Sequence, residues 1–194
     1  LDSPSRSGGV GYCYNSNITS KEDAEKNMLE MFDVEISKHV NYKNYVAKEP
    51  IVDGRIIKNG NRLFFLEPLE SSASQAYVFW VRVMFDYIFN NTGNKLKKGF
   101  NPSDVIINHI KQLQNYILWH YQYGSKYDTP FWDYAKTLTI DDPRFDEIKD
   151  LVTNISKDDA KPNNYGGTAE DPFYGQWDLY SWKIWYDAMT TVTT

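Results

Sequence analysis

Apolar residues recur with helical spacing through much of the last two thirds of the chain. After Ser72, they occupy every third or fourth position until the polar sequence NNTG at residues 90–93. This pattern predicts a helix that begins with a Ser-x-x-Gln capping box at Ser72. A second apolar stripe follows Asn101 and Pro102, a typical N-cap and first-turn pair. It predicts a helix that ends near Tyr121.

Three more helices are predicted towards the C-terminus. Pro130 follows two possible N-caps, Asp128 and Thr129, and the pair Asp142-Pro143 repeats the device. The sequence FYGQWDLYSWKIWYDAM, residues 173–189, is predicted to form a last helix that docks by its rings. The segment before it is rich in helix-breaking residues and in charged residues, so it is predicted to form a loop.

The pattern differs in the first third of the chain. Residues 10–17, VGYCYNSN, are predicted to form a short strand, and Thr19 opens a Thr-x-x-Glu capping box for a helix to about Phe32. The sequence PIVDGRIIKNGNRLFFL, residues 50–66, contains two β-rich runs with Asp-Gly and Asn-Gly turn signals. These runs predict short paired strands.

These elements predict an α+β fold that is mainly α-helical, with short N-terminal strands followed by a helical module. At 194 residues, one compact unit is expected. Within it, residues 1–66 form the strand-containing part and residues 67–194 the mainly helical part.

Composition narrows the classes of partner. The net charge is −5, from 21 Lys plus Arg against 26 Asp plus Glu, so nucleic acid is not an expected partner. The longest apolar run, residues 76–89, contains Arg82 and Asp86 and is too short for a bilayer, which predicts no membrane anchor. The single cysteine, Cys13, fits a reducing compartment, so a cytoplasmic location is expected.

Aromatic content and histidine placement bear on the kind of site. Aromatic residues make up 16% of the chain. They suit the binding of planar organic molecules, although they also fill space in a core. The three histidines have no ligand spacing, so no metal site is expected. The chain also lacks a dinucleotide-binding GxGxxG turn and the common nucleotide and hydrolase motifs.

A polar interruption in the sequence LFFLEPLESSASQAYVFW, residues 63–80, is the main candidate for chemistry. One interpretation is a helix start, in which Glu70 favours the helix dipole and Ser71 or Ser72 caps the first N–H groups. The other interpretation is an anion site formed by the N–H groups of Ser72 and Ala73 beside the Glu70 carboxylate. The rings of Phe64, Phe65 and Tyr77 would wall that site.

The same box carries a family resemblance. FLEPLESSAS, residues 65–74, resembles the FLEPLESTGI box of flavin-dependent halogenases of the tryptophan halogenase family. WHYQYGSKYDTPFW, residues 119–132, resembles the family's later HY…DTPFW segment. GVGYCYNSNITSKEDAEKN and SWKIWYDAM resemble two further family segments in the same order. The resemblance covers nearly the whole chain but only the C-terminal portion of the family's length.

The resemblance implies an oxidoreductase of the monooxygenase type. In that family, reduced FAD and oxygen oxidise a halide such as chloride, and the electrophilic halogen reaches a lysine and a glutamate beside an electron-rich ring. Glu70 matches the catalytic glutamate and Ser71 its neighbour. Ser72 and Ala73 match the pair whose N–H groups hold the halide, and Ser74 matches a position near the flavin.

The resemblance also implies a substrate wall and partners. Phe131 and Trp132 match the aromatic pair that walls the substrate, and His120, Tyr121 and Tyr127 match other substrate-lining positions. An aromatic small molecule and a flavin reductase are therefore the implied partners, with homo-oligomerisation a further possibility.

Several departures from the family pattern limit the implication. Ala73 replaces a glycine, which would strain a positive φ, and Arg62, Leu63 and Phe64 replace a small run that lets the flavin approach. Tyr127 replaces the glutamate that helps to bind free tryptophan. The flavin fingerprint and the catalytic lysine are expected upstream of this chain, so FAD would be bound mainly by that N-terminal part and the chain alone is expected to be inactive.

Two other functions remain open from the sequence. One is a non-catalytic module that binds aromatic ligands on the same scaffold. The other is a fragment that self-associates through surfaces normally covered by another domain.

Overall fold

The computed structural model describes residues 10–67, 72–90, 101–125, 127–160 and 177–190 of the 194-residue chain. A short strand-containing part precedes a larger helical part, and the described residues are mainly α-helical with few, short strands. This architecture confirms the predicted mainly helical α+β class.

Four two-residue strands form two small antiparallel pairs. Strand β2, Ile51–Val52, pairs with β3, Ile56–Ile57, across a tight turn. Asp53 and Gly54 both have positive φ, 51° and 64°, as expected for an Asp-Gly hairpin turn. Strand β1, Tyr45–Val46, pairs with β4, Phe64–Phe65. The strands predicted within residues 50–66 are confirmed, whereas β1 lay outside the predicted runs.

Two predictions for the N-terminal part were wrong. Residues 10–15 have no strand structure and residues 16–19 form turns, because no neighbouring strand pairs with them in the described part of the chain. Helix α1, Lys21–Phe32, begins one residue later than a Thr19 cap requires. Its N-cap is Ser20, whose side chain accepts a hydrogen bond from the backbone N–H of Asp23 at 3.0 Å. A Ser-x-x-Asp cap therefore displaces the neighbouring Thr-x-x-Glu.

The helical part follows the predicted order. Helix α2 is Ser72–Asn90 and helix α3 is Pro102–Tyr123, with Asn101 as N-cap. Helix α4, Pro130–Lys136, uses Thr129 as N-cap. Helix α5 is Pro143–Asn154, with Asp142 as N-cap, and helix α6 is Leu179–Thr190. Each described N-cap before a proline accepts a hydrogen bond from the first turn, which fixes where the helix begins.

The strand β4, α2 and one face of α3 enclose a mainly aliphatic core, called here the first core. Its buried members are Leu63, Phe64, Leu66, Ala76, Trp80, Met84, Ile106, Ile110, Leu113 and Ile117. Trp80 donates a hydrogen bond to the carbonyl oxygen of Lys58 at 2.7 Å, and Tyr77 donates to that of Phe64 at 3.0 Å. These bonds fix α2 against the strand-containing part.

The opposite face of α3 packs with α5 and α6 in a second core, called here the aromatic core. Its buried members are Tyr116, Leu118, Trp119, Phe145, Ile148, Val152 and Trp182. Tyr116 stacks on the ring of Trp177 and meets that of Trp182 edge to face, with centroid distances of 3.9 and 4.9 Å. Helix α3 is therefore buried on two faces and connects the two cores.

One face of α2 exposes large apolar side chains. Val78, Val81, Phe85 and Phe89 follow each other at intervals of three or four residues, and each is more than half exposed. Among the described residues, none of the helices is both long enough and apolar enough to span a bilayer.

Candidate functional site

The candidate site is a cleft of about 620 Å³ between the N-terminal segment and helices α3 and α4. Residues 12–16 and 40–44 form one side, and the end of β4 contributes Leu66 and Glu67. Helix α3 forms the opposite wall, and α4 with the segment after it closes one end. Gln122 braces that segment by donating a hydrogen bond to the carbonyl oxygen of Leu138 at 2.7 Å. The volume is typical of small-molecule sites.

A carboxylate and a tyrosine meet on the cleft wall. The hydroxyl of Tyr121, on α3, donates a hydrogen bond to Oε2 of Glu67, which follows β4. Burial raises the pKa of the Glu67 carboxyl, and the hydrogen bond from Tyr121 opposes that rise. Burial and the neighbouring Glu67 also raise the pKa of Tyr121, so this hydroxyl remains a donor. The pair presents a desolvated carboxylate to the cleft.

Aromatic residues surround this pair. Tyr42 lies across the cleft, where its ring contacts Phe65 at a centroid distance of 5.2 Å. Burial and a hydrogen bond to Cys13 raise the pKa of the Tyr42 hydroxyl. Phe131, at the start of α4, also lines the cleft and meets Tyr121 edge to face at 6.0 Å. A planar ligand would therefore contact rings from three separate segments.

The structure brings together three of the residues carried over as substrate-lining. Trp132 packs against Phe131 at 5.1 Å and lies 6.1 Å from the Tyr121 ring, so all three form one aromatic group. Of the three, Tyr121 and Phe131 line the cleft. Phe131 and Trp132 lie in the first turn of α4, which Thr129 caps, and α4 packs against α3.

The two other substrate-lining predictions lie elsewhere. His120 is buried on α3, directly before Tyr121. Its Nδ1–H donates a hydrogen bond to the carbonyl oxygen of Tyr116 at 2.8 Å. Its ring packs on Trp185 at 4.1 Å, beside the aromatic core rather than in the cleft lining. Tyr127 is 75% exposed and does not line the cleft.

The residues carried over as catalytic lie outside the described part of the chain, namely Glu70 and Ser71. Ser72 begins α2, and Ala73 is half-buried against the first core. The first N–H groups of a helix have no acceptor within it, so the backbone of these two residues has the donor chemistry that a halide requires. Ser74, carried over as a flavin neighbour, is exposed on the same turn.

Two departures from the family pattern prove less severe in the structure than in the sequence. Ala73 is helical and is not among the positive-φ residues, so it replaces glycine without backbone strain. Leu63 and Phe64 are fully buried in the first core and therefore direct their bulk away from the surface. Of that run, Arg62 alone is exposed.

Glu67 is the residue that the sequence interpretation missed. It occupies the first glutamate position of the FLEPLE box, whereas the resemblance assigns the second, Glu70. The available signal was its position directly after the buried strand β4, because a charged residue at the edge of a core must be solvated, paired or used.

Metal ligands do not cluster in the described residues: no group of three or more His, Cys, Asp or Glu side chains is placed to hold an ion. In the same part of the chain, Glu67 is the one formally charged residue on the cleft wall. The electrostatics of the cleft therefore depend on a single carboxylate among hydroxyl, amide and aromatic groups.

The fold and cleft define a mainly helical protein with an aromatic-lined, carboxylate-bearing cavity. A family model described as Tryptophan halogenase matches residues 5–193, nearly the full chain. The protein therefore belongs to the tryptophan halogenase family. Searches of curated proteins and of solved structures gave no significant match.

Proposed function

We propose that this chain forms the substrate-binding and proton-handling portion of a flavin-dependent halogenase that acts on an electron-rich aromatic compound. The observation that carries the proposal is the aromatic cleft at the end of β4, in a chain of the tryptophan halogenase family. Glu70 follows the cleft residue Glu67 by three positions, and α2 begins two residues later.

The chain's own residues have three roles in this proposal. Tyr121 and Phe131 orient the aromatic ring in the cleft. The N–H groups of Ser72 and Ala73 hold a halide at the start of α2. Glu70 accepts the proton that leaves the ring when a carbon–halogen bond replaces a carbon–hydrogen bond.

Reduced FAD, when bound, would supply two of the four electrons that reduce oxygen to two waters, while the halide supplies the other two. Ser74 is the one position in the described residues carried over as a flavin neighbour, and its exposure on α2 leaves it accessible. The main flavin-binding residues are proposed to lie upstream of this chain. The proposal also includes a cytoplasmic location, a flavin reductase as partner and an association with further copies.

Product analysis of the complete protein in which this chain occurs tests the proposal. The assay would contain FAD, a flavin reductase, halide, oxygen and a panel of indoles and phenols, with products identified by mass spectrometry. Glu70→Gln should lower the rate by about 100-fold or more, because a general base contributes roughly that much. The matched control is Glu147→Gln, which removes an exposed carboxylate on α5. Absence of halogenated product from the unsubstituted protein across the panel would refute the proposal.

A non-catalytic aromatic-binding module is the second candidate. One observation favours it: residues of this chain alone line a cleft of ligand size. Binding of an aromatic compound in the micromolar range, with no product under the conditions above, would support the module and exclude the halogenase.

A further inference from the structure

The cleft has a charge pattern that selects among aromatic ligands. Glu67 carries the one formal charge on its wall among the described residues, and the lysines, arginines and histidines of that part of the chain lie elsewhere. The remaining polar side chains on the wall are hydroxyls and amides, such as those of Tyr42, Asn44 and Thr139, and the thiol of Cys13. A ligand carboxylate would meet the Glu67 charge there and no described cationic side chain.

Among the described residues, the Glu67 carboxylate is only partly satisfied. Tyr121 binds Oε2, and in the described part of the chain no second hydrogen bond reaches Oε1. Burial disfavours a carboxylate that lacks a cationic partner. A ligand cation would supply both the missing counter-charge and a donor for Oε1.

The rings around Glu67 suit the same ligand. Tyr42, Tyr121 and Phe131 line the cleft and offer aromatic faces and edges to a planar group. Aromatic faces also attract an ammonium group, which adds to the attraction of the carboxylate. A volume of about 620 Å³ accommodates a two-ring compound with a short side chain.

We propose that the cleft binds a primary arylalkylamine, with its ammonium group paired to the carboxylate of Glu67 and its ring against Tyr121 and Phe131. This inference rests on the proposed function in one respect, since the bound amine would carry the ring to be halogenated. It assigns the ammonium contact to the first glutamate of the FLEPLE box and leaves the second for the ring proton.

Three matched indoles test the inference on the 194-residue chain. Tryptamine carries an ammonium group and indole-3-propionate a carboxylate at the end of a two-carbon side chain, and 3-ethylindole has that two-carbon chain without a charged group. Titration calorimetry at neutral pH should show tryptamine binding about 10- to 100-fold more tightly than 3-ethylindole, as one charged hydrogen bond provides. Indole-3-propionate should bind most weakly. Equal affinities, or an order that favours the carboxylate, would overturn the inference.

Two variants locate the contact. Glu67→Gln keeps the side-chain shape and an acceptor for Tyr121, so it should abolish the tryptamine preference while leaving the affinity for 3-ethylindole unchanged. The control Glu147→Gln should retain the preference. A preference that survives Glu67→Gln would overturn the assignment, and so would an equal loss of affinity for all three ligands.

Halogenation assays of the complete protein separate this inference from the proposed function. A tryptamine preference that depends on Glu67, without any halogenated product, would leave the amine site standing and refute the halogenase. If 3-ethylindole is halogenated as efficiently as tryptamine, and binding shows no preference, the amine site is refuted and the halogenase is supported.

Discussion

The two cores of the molecule share helix α3 but are built from different side chains. The first core packs Ile106, Ile110 and Leu113 against α2 and β4. Trp80 and the adjoining Tyr77 use their polar atoms to donate hydrogen bonds to backbone carbonyls. The aromatic core packs rings against rings: Trp119 contacts Tyr123, Trp182 and Tyr186 at centroid distances of 4.3–5.6 Å. Its indole Nε1 has no hydrogen-bond partner among the described residues.

This difference distinguishes the rings that support the fold from the rings that line the binding cleft. The aromatic core holds α5 and α6 on one side of α3 and leaves no ring edge of Trp119 for a ligand, since the side chain is fully buried. The cleft lies on the other side, where β4 ends and Glu67 leaves the first core. Abundant aromatic residues therefore serve two purposes here, and in the described part of the chain the cleft is lined by the rings of Tyr121 and Phe131 and by four further tyrosines.

Truncation of the central ring should break the aromatic core. Trp119→Ala removes a fully buried side chain, and we expect a loss of about 3–5 kcal/mol in the free energy of unfolding. Urea denaturation followed by circular dichroism would measure it. The control Tyr127→Ala changes an exposed ring and should cost less than about 0.5 kcal/mol. A loss for Trp119→Ala as small as that of the control would contradict this account of the core.

Acid should lower the free energy of unfolding through the buried residue His109. This residue is 3% exposed, stacks on Phe79 at 4.3 Å, and burial lowers its pKa from 6.5 to about 4. Between pH 6.5 and 4, the His109 imidazole binds a proton in the unfolded chain but not in the folded chain. Stability should therefore be complete above pH 6.5, fall by roughly 3 kcal/mol as the pH drops from 6.5 to 4, and level off below that.

The substitution His109→Leu isolates this effect from other titrating groups. Denaturation between pH 7 and pH 4 should show a flatter pH dependence for the variant than for the unsubstituted chain. His39→Gln, at an exposed histidine that pairs with Glu25, is the control and should keep the steep dependence. An unchanged slope in His109→Leu would disprove the assignment.

Loss of a buried polar contact at the edge of the aromatic core should have a smaller effect on the free energy of unfolding. Asn115 on α3 donates to Asp142 at 3.1 Å, and Arg144 binds the same carboxylate at 2.7 Å. Burial alone would raise the pKa of Asp142, but the bonds from Arg144 and Asn115 outweigh it and lower the pKa.

The substitution Arg144→Gln should cost about 1–3 kcal/mol at neutral pH because it removes hydrogen bonds to a charged group. The folded pKa of Asp142 is depressed, so the contribution is present above its unfolded pKa of 3.8 and is lost as the pH falls below it. The difference between variant and parent should therefore shrink near pH 3. A difference that is constant with pH would show that the carboxylate is not involved.

Two matched single substitutions, Trp→Phe in each core, should show the smallest difference in stability between the cores. Trp80→Phe removes the 2.7 Å hydrogen bond to the Lys58 carbonyl, whereas Trp119→Phe removes an indole N–H with no described partner. Both lose similar apolar volume. We expect Trp80→Phe to cost about 1 kcal/mol more, measured by the same denaturation method. The reverse order would contradict the proposed difference between the cores.

Much of the helical part could be predicted from the sequence because its signals are local. Asn101-Pro102 and Asp142-Pro143 mark helix starts by capping chemistry that involves neighbouring residues. The stripe containing Ile106 and Leu113 predicted one buried face of α3 by its period. The other face escaped prediction because its residues, such as Tyr116, carry polar groups and pack against α6, which is distant in sequence.

Errors arose where several local signals compete or where a partner is distant. Ser20 and Thr19 both offer caps one residue apart, and hydrogen-bond geometry selects Ser20. The segment around Tyr12 has strand-like composition but lies along the cleft, since no strand edge of the described part accepts it.

The sequence by itself determined the helix order, the mainly helical class and the family, because caps, periodicity and an ordered set of motifs are properties of neighbouring residues. Only the tertiary structure decided which aromatic residues face a cavity. Tyr121 joins Glu67 across 54 positions in the chain, while the adjacent His120 turns towards Trp185. Successive residues on a helix point about 100° apart, so one position separates the cleft from the aromatic core.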